Sequence, residues 1–375
     1  MRSRPGRRPW QGESVQPTDI TCGSVVLQPW AERDIDALIA GRNDPEVVRW
    51  TGSPFPYTRE HAERYVREET PVWWEEGSAA TWAIHDATTG EVLGACALHS
   101  IKDGEGDIAY YAMPAGRGRG IVTEAVAAVC RWAFGALELE RIGWAAAVGN
   151  WASRAVAQKC GFTLEGTSRK AYDQRGTRVD DWVGSLLSTD PMIDTRPLPT
   201  ELELTDGVVT MRRWRPSDAS DVARACDDPV SQRWLPFPDP YTLEHGISYV
   251  EVFTAHAWAD GRAAELAVTD SDGALVGACG LKLGGRQQGY GEVGYWTAPW
   301  ARGRGVASRA ARLISDWGLT TLGLHRVELL AEPGNLGSVR AAEKAGFTQE
   351  ALLRKARLHH GEPRDMLLFS RTTAP

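Results

Sequence analysis

The chain has 375 residues, 42% of them hydrophobic and 24% charged, with a formal net charge of −7. That length exceeds the roughly 100–200 residues of a single domain, while the composition is that of an ordinary folded protein. No run approaches the ~18 apolar residues of a membrane span, and the charge shows no basic stripe, so neither a membrane nor a nucleic acid is expected as a partner.

Residues 1–20 are rich in Arg, Pro, Gly and Gln with little to bury, and read as a disordered arm. No apolar core follows the basic start MRSRPGRRPW, which argues against a secretory leader. From Val25-Val26 onward the chain carries a pattern that it later repeats. Gly116-Arg-Gly-Arg-Gly120 recurs as Ala301-Arg-Gly-Arg-Gly305, an offset of 302 − 117 = 185. At the same offset Asn150-x-x-Ser153 returns as Asn335-x-x-Ser338, and Gly161-Phe162 as Gly346-Phe347. A period this long means two whole domains, 21–187 and 207–375, rather than a solenoid. Between them, 188–206 has prolines at 191, 197 and 199 and no helical or strand period, as a linker should.

The second copy gives the element order most clearly. An opening strand over 208–214 precedes Pro216-Ser217-Asp218, where Ser217 or Asp218 can cap a helix. Strands over 264–269 and 274–283 flank Asp270-Ser-Asp-Gly273, a strong hairpin turn. A strand over 291–297 leads through the loop 299–305 into a helix over about 306–318, where Ala310, Leu313, Ile314 and Trp317 share one face. A strand at 325–331 follows, then a helix from Asn335 that stops at Gly346. Antiparallel strands first, then strands alternating with helices, imply an α+β fold: a mixed, mostly antiparallel sheet flanked by helices.

The six cysteines stand singly, and the eight histidines are scattered apart from His359-His360. Neither a disulfide framework nor a metal site is expected, and the expected location is a reducing cytoplasm. Cys96 and Cys279, in apolar strand runs, read as buried and inert, and Trp73 and Trp74 as packing residues. The Arg-Gly-Arg-Gly loops lie between a strand and a helix start, where glycines admit a close ligand and the helix N-terminus favours an anion. Gly-x-x-x-x-Gly-Lys-Ser/Thr is absent, and neither Arg-Gly-Arg-Gly loop completes Gly-x-Gly-x-x-Gly, since Thr123 and Ser308 stand where its third glycine would be.

What remains resembles the diphosphate loop of the GNAT N-acetyltransferase superfamily, Gln/Arg-x-x-Gly-x-Gly/Ala. The second copy fits throughout as Arg302-Gly303-Arg304-Gly305-Val306-Ala307. The first fits at Arg117 and Gly120 but has Val122 in the last place. Tyr295-Trp296-Thr297 before the loop, Thr123-Glu124-Ala125 after it, and Asn335-x-x-Ser338 resemble the RimJ/RimL-like branch.

The resemblance implies tandem GNAT domains that use acetyl-CoA, or another acyl-CoA, with no metal. Its diphosphate would lie on Arg302 to Ala307 and Ser308. Its pantetheine arm would run along Tyr295, Trp296 and Thr297, where a strand bulge splays the sheet, with Asn335 holding the arm or capping its helix. An acceptor amine, on a small molecule or a peptide or protein N-terminus, would attack the thioester directly. Glu292 is then the expected base and Ser338 the donor to the thiolate. The first copy offers a second site at Arg117, Gly118, Arg119, Gly120, Asn150 and Ser153, with Asp107 as its base. Ala307 leaves more room than β-branched Val122, so the C-terminal domain is the expected catalyst. A monomer whose two domains pack by a pseudo-twofold is the expected assembly.

Overall fold

The computed structural model describes residues 15–373, and the chain separates between Thr195 and Arg196 into two units. The first holds strands β1 (Ile20–Cys22), β2 (Val25–Pro29), β3 (Ala80–Asp86), β4 (Val92–Lys102), β5 (Glu105–Ala112), β6 (Arg141–Ala147), β7 (Thr163–Gln174) and β8 (Thr177–Leu187). They form one sheet in the order β1-β2-β3-β4-β5-β6-β8-β7. The second holds β9 (Glu203–Thr205), β10 (Thr210–Arg212), β11 (Ala263–Thr269), β12 (Leu275–Lys282), β13 (Tyr290–Thr297), β14 (Arg326–Ala331), β15 (Thr348–His359) and β16 (Glu362–Thr372). Their order, β9-β10-β11-β12-β13-β14-β16-β15, is the same topology used again. Both sheets are mixed, since β5–β6 and β13–β14 are parallel and all other pairings antiparallel.

Local chemistry sets the joints. Gly273 sits at φ +81°, and Asp270 Oδ1 accepts the amides of Asp272 and Ala274, closing the β11–β12 turn. The helix Leu336–Lys344 ends before Gly346 at φ +88°, the left-handed residue that stops helices. Each sheet buries one face under the long helix that follows the Arg-Gly-Arg-Gly loop, Ile121–Ala136 or Val306–Thr320. The opposite face carries the shorter helices that precede β3 and β11.

Two stretches differ from the sequence reading. Residues 1–14 of the arm lie outside the described residues, but Val15–Asp19 is ordered against the first unit. Val15 is buried and bonded to Trp74 O, and the Trp82 indole donates to Thr18 O at 2.8 Å. Glu203–Thr205, inside the stretch read as linker, is the edge strand of the second sheet, too short to show a period. Trp74 packs edge-on to Trp82 and Trp132 in the core, and Trp73 lies edge-on to Tyr65. Cys96 and Cys279 are buried, and burial pushes both thiols well up, as inert residues require.

The last hairpin of each unit is fastened by one motif. Asp180 Oδ1 accepts Lys170 N–H, and Asp365 Oδ1 accepts Lys355 N–H, each at 2.8 Å, where both lysines take φ +51° in a bulge. Arg326 and Ser370 hold the Glu350 carboxyl down at about 2. A lowered carboxyl contributes stability that is present above its ordinary 4.5 and lost as pH falls toward about 2. Arg326→Met is therefore expected to remove part of the acid sensitivity in that window, read as a shallower loss of the circular dichroism signal between those pH values.

Candidate active site

The parallel pairs open like a V. β13 pairs with β14 only from Tyr290↔Arg326 to Val293↔Leu329, although it stays paired with β12 through Thr297. β5 likewise leaves β6 after Asp107↔Gly143 while staying paired with β4 to Ala112. Gly294 to Thr297 therefore carry backbone groups that β14 does not satisfy. The expected bulge near 295–297 is absent: the β12–β13 register is continuous from Glu292 to Thr297, and the strands simply diverge.

At the open end of the V stands the Arg-Gly-Arg-Gly loop. Gly303 and Gly305 take φ +78° and +77°, as Gly118 and Gly120 take +72° and +77°. That is the region in which L side chains are strained. A Cβ on Gly118, Gly120 or Gly303 would meet nothing within 4 Å, so the loop's outer surface is open. The first intrahelical bond runs from Arg309 N–H to Gly305 O, and the helix has no side-chain cap. The amides of Val306, Ala307 and Ser308 thus lack helical acceptors and converge with the positive end of the helix dipole. A diphosphate suits this place on backbone chemistry alone.

The arginines do something different from what the loop's sequence suggests. Arg302 turns inward to Asp228, the cap of the helix Pro229–Trp234, and to Ser231 Oγ at 3.0 Å. Arg117 does the same with Asp44, the cap of Pro45–Trp50. Both staple the loop to a neighbouring helix. The signal was present as Asp44-Pro45 and Asp228-Pro229, an N-cap followed by proline at the first helical position. Arg119 is drawn to Asp86 at 2.8 Å, whereas Arg304 is exposed and has no ion-pair partner among the described residues.

Val122 is buried in the core, so it does not crowd the loop as its branching suggested. The units differ in charge instead. The fourth helical residue is Glu124 in the first, bonded to Ser24, and Arg309 in the second, paired with Asp206 at 2.6 Å. The second helix start is the more electropositive.

On the helix-covered face, Tyr295 O–H donates to Ser338 O at 3.2 Å and lies 3.1 Å from Ser338 Oγ. Burial pushes this phenol up to about 12, so it stays protonated. Asn335 Oδ1 accepts Ser338 N–H at 3.1 Å and so caps its helix. Ser153 is more heavily committed: its hydroxyl donates to Tyr110 and accepts from the Trp144 indole at 3.1 Å, and Asn150 caps its helix. Leu329 occupies the place of Trp144, so among the described residues Ser338 Oγ has Tyr295 as its side-chain partner.

Glu292 sits at the vertex of the V, the last but one paired residue of β13. Each of its oxygens already accepts from a cation, Lys282 Nζ at 3.0 Å and Arg357. Asp107 holds the same position in the first unit, packed against the Cα of Gly143. A group that the sequence reading passed over lies at the open end. His359 Nδ1 is 2.6 Å from Glu332 Oε1, and its buried Nε2 has no partner among the described residues. Gln174 and Ala147 take these places in the first unit, so this pair belongs to the second.

The family model described as "Acetyltransferase (GNAT) domain" matches residues 24–163 and again 209–348. The uncharacterized N-acetyltransferase YoaA of Bacillus subtilis is 28% identical over 165 residues, 44% of this chain and 93% of that protein. The uncharacterized N-acetyltransferase p20 of Bacillus licheniformis is 27% identical over 165 residues, 43% of this chain and 91% of that protein. Among solved structures, RimJ of Mycobacterium smegmatis in complex with CoA-disulfide is 26% identical, covering 47% of this chain and 89% of its own, with a TM-score of 0.42. The two matched domains together span well over half of the sequence, and the chain belongs to the GNAT acetyltransferase family, with two of its domains in tandem.

Proposed function

We propose that the C-terminal unit transfers an acetyl group from acetyl-CoA to a primary amine. The observation that carries this is the splayed β13 edge running from Glu292 to the uncapped helix start at Val306. The diphosphate rests on the amides of Gly303 to Ser308, with Arg304 and Arg309 adding positive charge. The pantetheine arm follows Tyr295 to Thr297, taking up the backbone groups that β14 leaves. Ser338 Oγ donates a proton to the departing thiolate, and Tyr295 positions that hydroxyl. The acceptor, a small amine or a peptide α-amine, arrives as a cation and displaces Arg357 from Glu292, which takes its proton directly or through water. In the N-terminal unit the pairs Arg119–Asp86 and Tyr110–Ser153–Trp144 support a site that binds CoA weakly.

A second reading of the base rests on His359, whose Nδ1–H donates to Glu332 and leaves Nε2 as the acceptor. Its partner Glu332 lies three residues beyond Leu329, the last β14 residue paired with β13, about 10 Å along the chain, so the proton would pass through water. Glu292→Gln and His359→Gln separate the two. Loss of the base is expected to lower kcat by about 10²–10⁴, in Glu292→Gln on this proposal, with His359→Gln changed far less. The reverse ranking assigns the base to His359.

A further inference from the structure

On the N-terminal unit, a cation is held without a counter-charge. Arg42, at the end of the helix Ile35–Arg42, is partly buried, and its Nε is buried with no partner. Nη1 donates to Ser53 Oγ at 2.6 Å. The guanidinium carbon lies 5.1 Å from the ring centre of Tyr111, 5.9 Å from Tyr65 and 6.0 Å from Tyr57. No carboxylate pairs with it among the described residues. Burial pushes the phenols of Tyr57 and Tyr111 up to about 12, so they supply ring faces and neutral hydroxyls but no negative charge. Two more buried oxygens lie on this arginine's face of the sheet, the Tyr111 hydroxyl against Arg42 and the Thr81 hydroxyl against Tyr65. A largely enclosed cation without a counter-charge is costly, and aromatic faces offset only part of that cost.

The duplication shows that the fold does not need this charge. At an offset of 226 − 42 = 184, Cys226 stands where Arg42 does, while Tyr241 and Tyr249 keep Tyr57 and Tyr65. The equivalence is structural as well: Tyr57 N–H donates to Asn43 Oδ1 and Tyr241 N–H to Asp227 Oδ1, both at 2.9 Å. At the place of Thr81 the second unit has Glu265, 3.4 Å from the Tyr249 hydroxyl, so the polarity of this face is reversed there.

Position also favours a ligand. Tyr110 and Tyr111 are neighbours on the splayed part of β5, and strand alternation sends them to opposite faces. Tyr110 reaches Ser153, and Tyr111 meets Arg42. We propose that Arg42, Tyr111 and Thr81 form a binding site for the carboxylate group of a small molecule on the N-terminal unit. The guanidinium fork matches a planar carboxylate, and the two hydroxyls can donate to its remaining lone pairs. The proposal does not depend on which unit carries out acetyl transfer.

Calorimetric titration of the full chain with N-acetylglycine, N-acetylglycinamide and inorganic phosphate tests it. The acid is expected to bind at one site per chain, with the neutral amide at least about tenfold weaker and phosphate weaker than the acid. Arg42→Lys keeps the charge but loses the fork and is expected to weaken acid binding about tenfold. Tyr111→Phe, which removes one hydroxyl and keeps the ring, should weaken it several-fold without a change in melting temperature. Acid and amide binding alike, no acid binding in the millimolar range, phosphate binding more tightly than the acid, or affinity unchanged in both variants would each overturn the site.

Discussion

Gly305→Glu is expected to abolish acetyl-CoA binding at the C-terminal unit, while Gly120→Glu leaves that binding intact. Two effects act together at Gly305. Its backbone stands at φ +77°, where a residue with a Cβ is strained by roughly 1–2 kcal/mol. The new carboxylate would also stand at the helix start among the free amides of Val306, Ala307 and Ser308, where the diphosphate is placed. A like charge so placed costs several kcal/mol, which is about a hundredfold or more in Kd. Titration of each variant with acetyl-CoA checks the expectation, and circular dichroism confirms that the sheet is intact. Retained affinity in Gly305→Glu would remove the diphosphate from this loop.

Ser338→Ala carries the second large effect, on turnover rather than binding. Ser338 Oγ is 3.1 Å from a phenol that stays protonated, and its hydroxyl is the proton donor proposed for the leaving thiolate. Loss of a positioned proton donor is expected to lower kcat by about 10²–10⁴ with KM for acetyl-CoA little changed. Tyr295→Phe acts one step removed, by freeing the serine rotamer. It is expected to cost less in kcat while raising the dependence of rate on the acidity of the acyl thiol. Ser153→Ala, in the unit whose serine is bound to both Tyr110 and Trp144, should leave turnover unchanged. Free thiol release, followed spectroscopically with a panel of primary amines, reads all three.

Much of the architecture was legible because it was written twice. Most elements of the second unit could be checked against the first at an offset of 184 or 185, and glycines at 305 and 346 marked turns that only they adopt without strain. The details that failed were pairings across long separations in sequence. Arg302 meets Asp228 and Arg117 meets Asp44 across more than seventy residues, a separation over which no local pattern joins a loop arginine to a helix cap. Val122 misled for a related reason: branching is visible in sequence, but the direction of a side chain around a helix depends on the core beneath it. The divergence of β13 from β14 needed no bulge, only the end of a register that no local pattern encodes. The place of Glu292 on its strand was legible, but its two cations come from β12 and from the distant β15. The pair His359–Glu332 left only an adjacent His-His as a trace.

The division of labour between the units is the central claim, and the stoichiometry of acetyl-CoA binding to the full chain tests it most directly. One tight site per chain in calorimetric titration is the predicted result, a site that Gly305→Glu removes and Gly120→Glu preserves. Two sites of equal affinity, or a single site that Gly120→Glu removes, would contradict it.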